Sequence, residues 1–183
     1  MKNAFGIYES MVSAGVQPTR VTYNTMLDTC AQMSGRGGGG GDGRGGLATA
    51  KFLISKMKEG GSEPDAVSYT SFINCARKEG SREAVESAYD IFRALPNDKL
   101  LRNKHTYTSM VRALSSVGRW QEAMGLLEGA RLAGIRPDRI MYSVCMEAVG
   151  HDRDLVRSLH TMMINDGIND DATTLKQLER VEK

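Results

Sequence analysis

Four groups of residues in this 183-residue chain have types and spacings that chemistry uses. Gly41, Gly43 and Gly46 match the spacing of a dinucleotide fingerprint, in which backbone amides hold a pyrophosphate at a helix N-terminus. That motif follows a strand, whereas the residues before Ser34 have a helical period, and no Lys-Ser/Thr follows to complete a P-loop. Arg36 and Arg44 each precede Gly-Gly. Such a tract either adds diffuse affinity for single-stranded nucleic acid or is a flexible loop whose extra length costs little closure entropy. Asp152 and Asp154 flank Arg153 in a turn, and Asp170 precedes Asp171, carboxylates of the kind that hold magnesium. Cys30, Cys75 and Cys145 form no CxxC and have no ligand spacing with His105, His151 or His160, so neither a metal site nor a disulfide is expected. No HExxH, no GxSxG and no nucleophile–His–acid arrangement is present, so the expectation is no catalytic residue, no cofactor and no small-molecule substrate.

The fourth group recurs. Val21-Thr22-Tyr23-Asn24-Thr25 is echoed by Val67-Ser68-Tyr69-Thr70-Ser71, by His105-Thr106-Tyr107-Thr108-Ser109 and by Ile140-Met141-Tyr142-Ser143-Val144. The four tyrosines lie 46, 38 and 35 residues apart. A second block precedes three of them, Gln17-Pro18-Thr19, Glu63-Pro64-Asp65 and Arg136-Pro137-Asp138, while the remaining copy reads Leu101-Arg102-Asn103. Short polar residues therefore stand at two fixed phases of a unit of about 35 residues, and a fixed period is the mark of a repeat architecture.

The elements that position them are helices. Tyr107, Met110, Val111 and Leu114 follow the i, i+3, i+4, i+7 pattern of one apolar face, Gly118 breaks it, and Ala123, Leu126, Leu127 and Ala130 resume it. Gly134 then stands where a C′ glycine ends a helix, with Pro137 shortly after. The unit is helix, turn, helix and proline-bearing connection. Second helices are likewise expected from Ala50, Leu53, Ile54 and Met57; from Ala88, Ile91, Phe92 and Leu95; and from Val156, Leu159, His160 and Met163. Ala4, Ile7, Tyr8 and Met11 read as a second helix without a first, and 172–183 as a first helix without a second. A hairpin of this size buries its apolar face only against neighbours, which predicts an all-α fold, an α-solenoid of stacked antiparallel helix–turn–helix repeats. The boundaries expected are 1–19 (second helix of a truncated repeat), 20–65 with a Gly-rich insertion at 34–47, 66–103, 104–138 (the best match), 139–171, and 172–183 (partial). The insertion begins eleven residues after Tyr23, the distance at which the interhelix turn falls in the best unit, and its length is close to that repeat's excess over 35. Both ends fall within a unit, as in a piece of a longer array. Lys and Arg number 24 against 22 Asp and Glu, a net charge of +2 that neither demands nor excludes a polyanion. No apolar run nears the ~18 residues of a membrane span, so no membrane association is expected.

The period, the block "VTYNTML", the stretch "GRWQEAMGLLEGARLAGIRPD" and the terminal Pro-Asp resemble the pentatricopeptide repeat. The tetratricopeptide repeat has a 34-residue period with a Trp…Leu-Gly…Tyr signature that is missing here. The resemblance covers Met1 to about Asp171, is strongest in 104–138 and weakest in 139–171, which is two residues short. It implies binding of single-stranded RNA with about one base read per repeat. In that family the residue after the tyrosine position and the last residue of the repeat read the base. Carried over, these are Asn24 with Asp65, Thr70 with Asn103, Thr108 with Asp138, and Ser143 with Asp171, all short and polar as hydrogen-bonded readout requires. The residue two before each tyrosine stacks between bases, which gives Val21, Val67, His105 and Ile140; His105 departs from the β-branched pattern, although an imidazole stacks on a base. By the family's pattern Asn with Asp reads uracil, Thr with Asn adenine and Thr with Asp guanine, and Ser with Asp leans to guanine, so the resemblance implies 5′-U-A-G-(G)-3′. Asn103 is reached across a three-residue insertion and without its proline, and Asp171 follows Asp170 where proline should be.

A plainer assignment exists for the same residues. Asp65 and Asp138 sit where an N-cap acceptor contributes ~1 kcal/mol without any RNA, and Asn24, Thr70, Thr108 and Ser143 can bond within the first turn. Arg77 and Lys78 are either phosphate contacts or a solvated pair. The alternative class of function is a helical scaffold that grips a protein partner, and protein partners of a larger complex are compatible with either. The resemblance implies chloroplast or mitochondrion and a role in transcript processing, stability, editing or translation. No targeting peptide is visible.

Overall fold

The computed structural model describes residues 2–34, 46–96, 98–150 and 152–182, and among them every regular element is an α-helix. The helices are α1 (Lys2–Ser13), α2 (Arg20–Met33), α3 (Gly46–Glu59), α4 (Ala66–Glu79) and α5 (Arg82–Ala94), then α6 (Lys104–Ser116), α7 (Trp120–Leu132), α8 (Arg139–Val149), α9 (Arg153–Asn165) and α10 (Ala172–Glu182). They divide into two compact units, Met1–Arg102 and Asn103–Lys183.

In the first unit α2 packs on α3 and α4, α3 also on α4, and α4 on α5. In the second, α6 packs on α7 and α8, α7 on α8, α8 on α9 and α10, and α9 on α10. Within the units, α2, α6 and α8 thus each touch their own second helix and the next first helix, the nearest-neighbour pattern of an α-solenoid. The expected apolar stripes are what meets at these contacts. Leu27, Leu53, Met57, Phe72 and Phe92 are sealed in the first unit, and Met110, Leu114, Leu127, Tyr142 and Leu159 in the second. Each such side chain contributes about 1.5–3 kcal/mol by leaving water.

Helix ends follow from the sequence as well. Gly15, Gly61, Gly134 and Gly167 all have φ between 70° and 77°. In each case the next residue's amide reaches back five positions, as Ile135 N does to Ala130 O at 2.9 Å and Ser62 N to Met57 O at 2.9 Å. This left-handed stop closes α1, α3, α7 and α9, and it needs glycine because a Cβ disfavours that conformation.

Three expectations need adjustment. Leu95 does not continue α5; it is the C-cap with ψ 140°, because the ring of Pro96 pushes the residue before it out of the helical region. It still buries its side chain. Ile7 is 67% exposed, and α1 instead turns Tyr8 toward Tyr23, ring centroids 6.0 Å apart. Asp152, Arg153 and Asp154 do not form a turn: Arg153 and Asp154 open α9, and Asp152 caps it by accepting from the amides of Asp154 and Leu155.

The glycine tract itself, 35–45, lies outside the described residues. Its two anchors are described: Ser34 Oγ donates to Cys30 O at 3.0 Å and lies 2.9 Å from Cys75 Sγ. A Cβ built on Gly46 would stand 2.2 Å from Ser34 Oγ and 3.2 Å from Cys30 O. The last glycine of the apparent fingerprint therefore serves the close approach of α3 to the end of α2, a helix rather than the strand that the motif requires.

Candidate nucleic-acid interface

The repeated Thr/Ser-Tyr block is a capping device followed by a core anchor. The last residue of each repeat is the N-cap of the next first helix. Asp65 Oδ1 accepts from Ser68 N at 3.0 Å, Asn103 Oδ1 from Thr106 N at 3.1 Å, Asp138 Oδ1 from Met141 N at 3.0 Å and Asp171 Oδ1 from Thr174 N at 2.9 Å. In α2 and α4 the hydroxyl at the third helical position reaches back to the cap amide, completing a capping box. One residue further, Tyr23, Tyr69, Tyr107 and Tyr142 are buried. Tyr23 Oη donates to Lys56 O at 3.4 Å, and Tyr142 Oη to the Asp166 carboxylate. Tyr23 and Tyr142 thereby each tie a first helix to the end of its own second helix. Burial, with Tyr8 nearby, pushes the Tyr23 phenol up to about 12. Burial and then Asp166 raise that of Tyr142 still further.

Capping occupies only one oxygen of each carboxylate. The other, Oδ2, faces a cation at the first position of its own repeat: Arg20 lies 4.0 Å from Asp65, Lys104 3.8 Å from Asp138 and Arg139 3.6 Å from Asp171. In the first unit the polar pair itself is assembled, Asn24 Nδ2 donating to Asp65 Oδ1 at 3.2 Å and Asn24 Oδ1 accepting from Ser68 Oγ at 2.6 Å. Burial raises the Asp65 carboxyl, but the Ser68 amide, Asn24, the Ser68 hydroxyl and Arg20 outweigh it and hold the group below the ordinary 3.8. Asp171 is lowered by the Thr174 amide first, with Arg139 adding to the effect. In the second unit Thr108 Oγ1 donates to the backbone carbonyl of Lys104 at 2.8 Å. Thr70 and Asn103 belong to different units.

Burial sorts these residues cleanly. All eight polar positions, Asn24, Asp65, Thr70, Asn103, Thr108, Asp138, Ser143 and Asp171, are half-buried. Val21, Val67, His105 and Ile140 are all exposed, and the three aliphatic ones leave 75%, 57% and 47% of their surface to solvent. Neither class follows from helix packing, which would bury the aliphatic residues first. Arg77 is half-buried with its Nε enclosed and without a hydrogen-bond partner among the described residues, and Lys78 is exposed. Asp170 is engaged by His160, Nε2 to Oδ1 2.7 Å. Single-residue inspection misses two participants. Ser68 hides in the "VSY" block as a capping residue but also bonds Asn24. The first-position cations pair across 32 to 45 residues, and their signal is a positive charge at a helix start, where the dipole disfavours it.

Comparison with known proteins agrees with this geometry. A model described as PPR repeat matches residues 105–135, and one described as pentatricopeptide repeat domain matches residues 1–33. These two stretches of the chain are similar to pentatricopeptide repeats. Among its relatives in Arabidopsis thaliana, pentatricopeptide repeat-containing protein At5g27110 is 25% identical over 148 residues, 81% of this chain and 19% of that protein. At1g06140, named mitochondrial, is 24% identical over 81% of this chain and 23% of its own length, and At5g13270, named chloroplastic, is 21% identical over 92% and 20%. The chain thus spans about a fifth of the length of these relatives. In structure it is similar to the pentatricopeptide repeat protein PPR10 in complex with an 18-nucleotide psaJ RNA element, with TM-score 0.79 and 19% identity over 98% of this chain and 24% of that one. The PPR domain of Arabidopsis thaliana protein-only RNase P 1 in complex with tRNA gives TM-score 0.74 and 14% identity, covering 98% and 89%. At these identities the likeness is one of fold.

Proposed function

We propose that this chain is a sequence-selective single-stranded RNA-binding module that takes about one base per repeat, within a protein that acts on transcripts of a chloroplast or mitochondrion. The observation that carries this is the constant-phase pairing of two half-buried polar side chains with an exposed apolar one. Asn24 and Asp65 joined at 3.2 Å beside Val21, 75% exposed, are the clearest instance. An unstacked base needs those two things: a face to lie against and donors and acceptors at its edge. Asp65, Asp138 and Asp171 each keep Oδ2 outside the N-cap bond, so capping and readout share the residue without competing for the same oxygen. The relatives named mitochondrial and chloroplastic and the RNA-bound structural relatives support the same reading. On it the chain works by binding: the reading pairs are Asn24/Asp65, Thr70/Asn103, Thr108/Asp138 and Ser143/Asp171, the stacking residues are Val21, Val67, His105 and Ile140, and none of these residues is given a chemical step. The repeat boundaries proposed with it are 20–65, 66–103, 104–138 and 139–171.

The test is selection from a random single-stranded RNA pool. Enrichment of 5′-UAGG-3′ or of its first three bases is expected, lost on substitution of Asn24, Thr70 and Thr108 together by alanine. A pool that shows no enrichment, with the triple variant indistinguishable from the unsubstituted chain, would instead favour the protein-gripping scaffold.

A further inference from the structure

Three of the four repeats begin with a residue that works against the stability of its own helix. Arg20, Lys104 and Arg139 open α2, α6 and α8, and none of these helices has an acidic residue in its first turn. A cation there faces the positive end of the helix dipole. The second helices do the opposite: α5, α7 and α9 carry Glu83, Glu122 and Asp154 in their first turns, as the dipole favours. The compensating ion pairs are weak, since the cations are 55%, 45% and 44% exposed and stand 3.6–4.0 Å from their carboxylates, and half-solvated pairs at that distance contribute little.

What the cations do track is the charge of the reading position. Arg20 goes with Asp65, Lys104 with Asp138 and Arg139 with Asp171, while the one repeat whose last residue is neutral, Asn103, begins with the neutral Ala66. All four repeats carry the match, over three different residue types at the first position. A carboxylate that reads a base sits close to a phosphodiester strand and repels it. A cation on its free oxygen removes that repulsion, and an amide needs no such partner.

We propose that the first residue of each repeat is a charge-matching residue for the reading position. Arg20, Lys104 and Arg139 cancel toward an RNA backbone the charge of Asp65, Asp138 and Asp171, so that every repeat meets the strand with a reading pair of zero net charge. They are positioning residues that act through the carboxylate, and the inference rests on the RNA-binding reading above.

The test measures affinity by fluorescence anisotropy with short labelled single-stranded RNAs containing UAGG or UAAG, across a range of sodium chloride concentrations, on the full chain. One unit charge near a phosphate changes affinity by about threefold at moderate salt. It also changes the slope of log K against log salt by about 0.7 for single strands. Lys104→Ala is therefore expected to bind UAGG about threefold more weakly with a slope shallower by about 0.7, Lys104→Arg to match the unsubstituted chain, and Arg20→Ala to repeat the loss in the other unit. Lys104→Ala combined with Asp138→Asn recreates the Ala66/Asn103 arrangement, and on UAAG it is expected to regain the affinity of the unsubstituted chain for UAGG. If Lys104→Ala and Arg20→Ala leave affinity and slope unchanged while the unsubstituted chain binds, the charge-matching inference falls and the RNA reading stands. A double variant no tighter than Lys104→Ala on either RNA has the same consequence. If the unsubstituted chain binds no RNA, both fall.

Discussion

Replacing Asp65 by alanine isolates the network on which the first reading site is built. Its Oδ1 accepts the Ser68 amide at 3.0 Å, the Ser68 hydroxyl at 3.1 Å and the Asn24 amide at 3.2 Å, and its Oδ2 lies 4.0 Å from Arg20. Loss of an Asp N-cap costs ~1 kcal/mol. The half-buried Asn24 loses a hydrogen bond worth about another 1 kcal/mol. The Arg20 pair, half-exposed at 4.0 Å, adds roughly nothing. Ser68 keeps Asn24 Oδ1 at 2.6 Å as an acceptor, so its buried hydroxyl is not orphaned. Asp65→Ala should therefore destabilise the folded chain by about 2 kcal/mol at neutral pH, whereas Asp65→Asn, an equally good cap, should cost less than about 1 kcal/mol. Because the folded carboxyl is held below the ordinary 3.8, the contribution of its ionised form is complete above the unfolded value near 3.9. It drains as pH falls through the lower folded value. The gap between Asp65→Ala and the unsubstituted chain should be constant from pH 7 to about 5 and narrow below about 4. Urea denaturation followed by far-ultraviolet circular dichroism at several pH values measures this directly. An Asp65→Ala chain within about 0.5 kcal/mol of the unsubstituted one at pH 7 would refute the network, since the loss of a cap alone is expected to exceed that. A gap that does not change with pH would refute the assignment of the effect to the carboxylate.

Two further outcomes follow from packing and hydrogen bonding. Gly46→Ala drives a methyl to within 2.2 Å of Ser34 Oγ and 3.2 Å of Cys30 O, so it should cost about 1–3 kcal/mol as an overpacked contact; the Ser34→Gly/Gly46→Ala pair should recover part of that in the same urea assay, and full independence of the two substitutions would contradict the close approach. Tyr142→Phe removes the bond to Asp166 and should cost about 1 kcal/mol. In the unsubstituted chain, alkaline spectrophotometric titration should show Tyr23 and Tyr142 still protonated well above 10, both held there first by burial and Tyr142 also by Asp166, and the late component should shrink by one tyrosine in Tyr142→Phe.

The helices and their ends were legible because their signals are local. A seven-residue apolar pattern, a polar residue before it and a glycine after it are read along the chain, and Gly134 or Asp138 could be interpreted without knowing any neighbour. Leu95 was misplaced because its apolar period pulled one way and the following proline the other, and the steric effect of Pro96 won. The candidate site was half legible. The recurrence of Asn24, Thr70, Thr108 and Ser143 at one phase singled them out, but periodicity could not say that Asp65 would divide its two oxygens between a cap and a cation. Nor could it place Arg20 beside Asp65, since that contact joins residues 45 positions apart and depends on how α2 stacks on α4. The role of Gly46 was not legible for the same reason: its small size serves a contact with Ser34, which only the packing of α3 on α2 brings near.

The central claim is that the residue after each buried tyrosine, together with the last residue of the repeat, selects a base. Thr108→Asn tests it most directly, because it converts the Thr108/Asp138 pair into the Asn/Asp combination that is already assembled at Asn24 and Asp65, 3.2 Å apart. Affinities of both chains are measured for four single-stranded RNAs that differ only at the third base of UAGG. The account predicts that preference at that base moves from guanine to uracil while the preferences at the first and second bases stay put. An unchanged preference at the third base, or equal loss of affinity for all four RNAs, would contradict it.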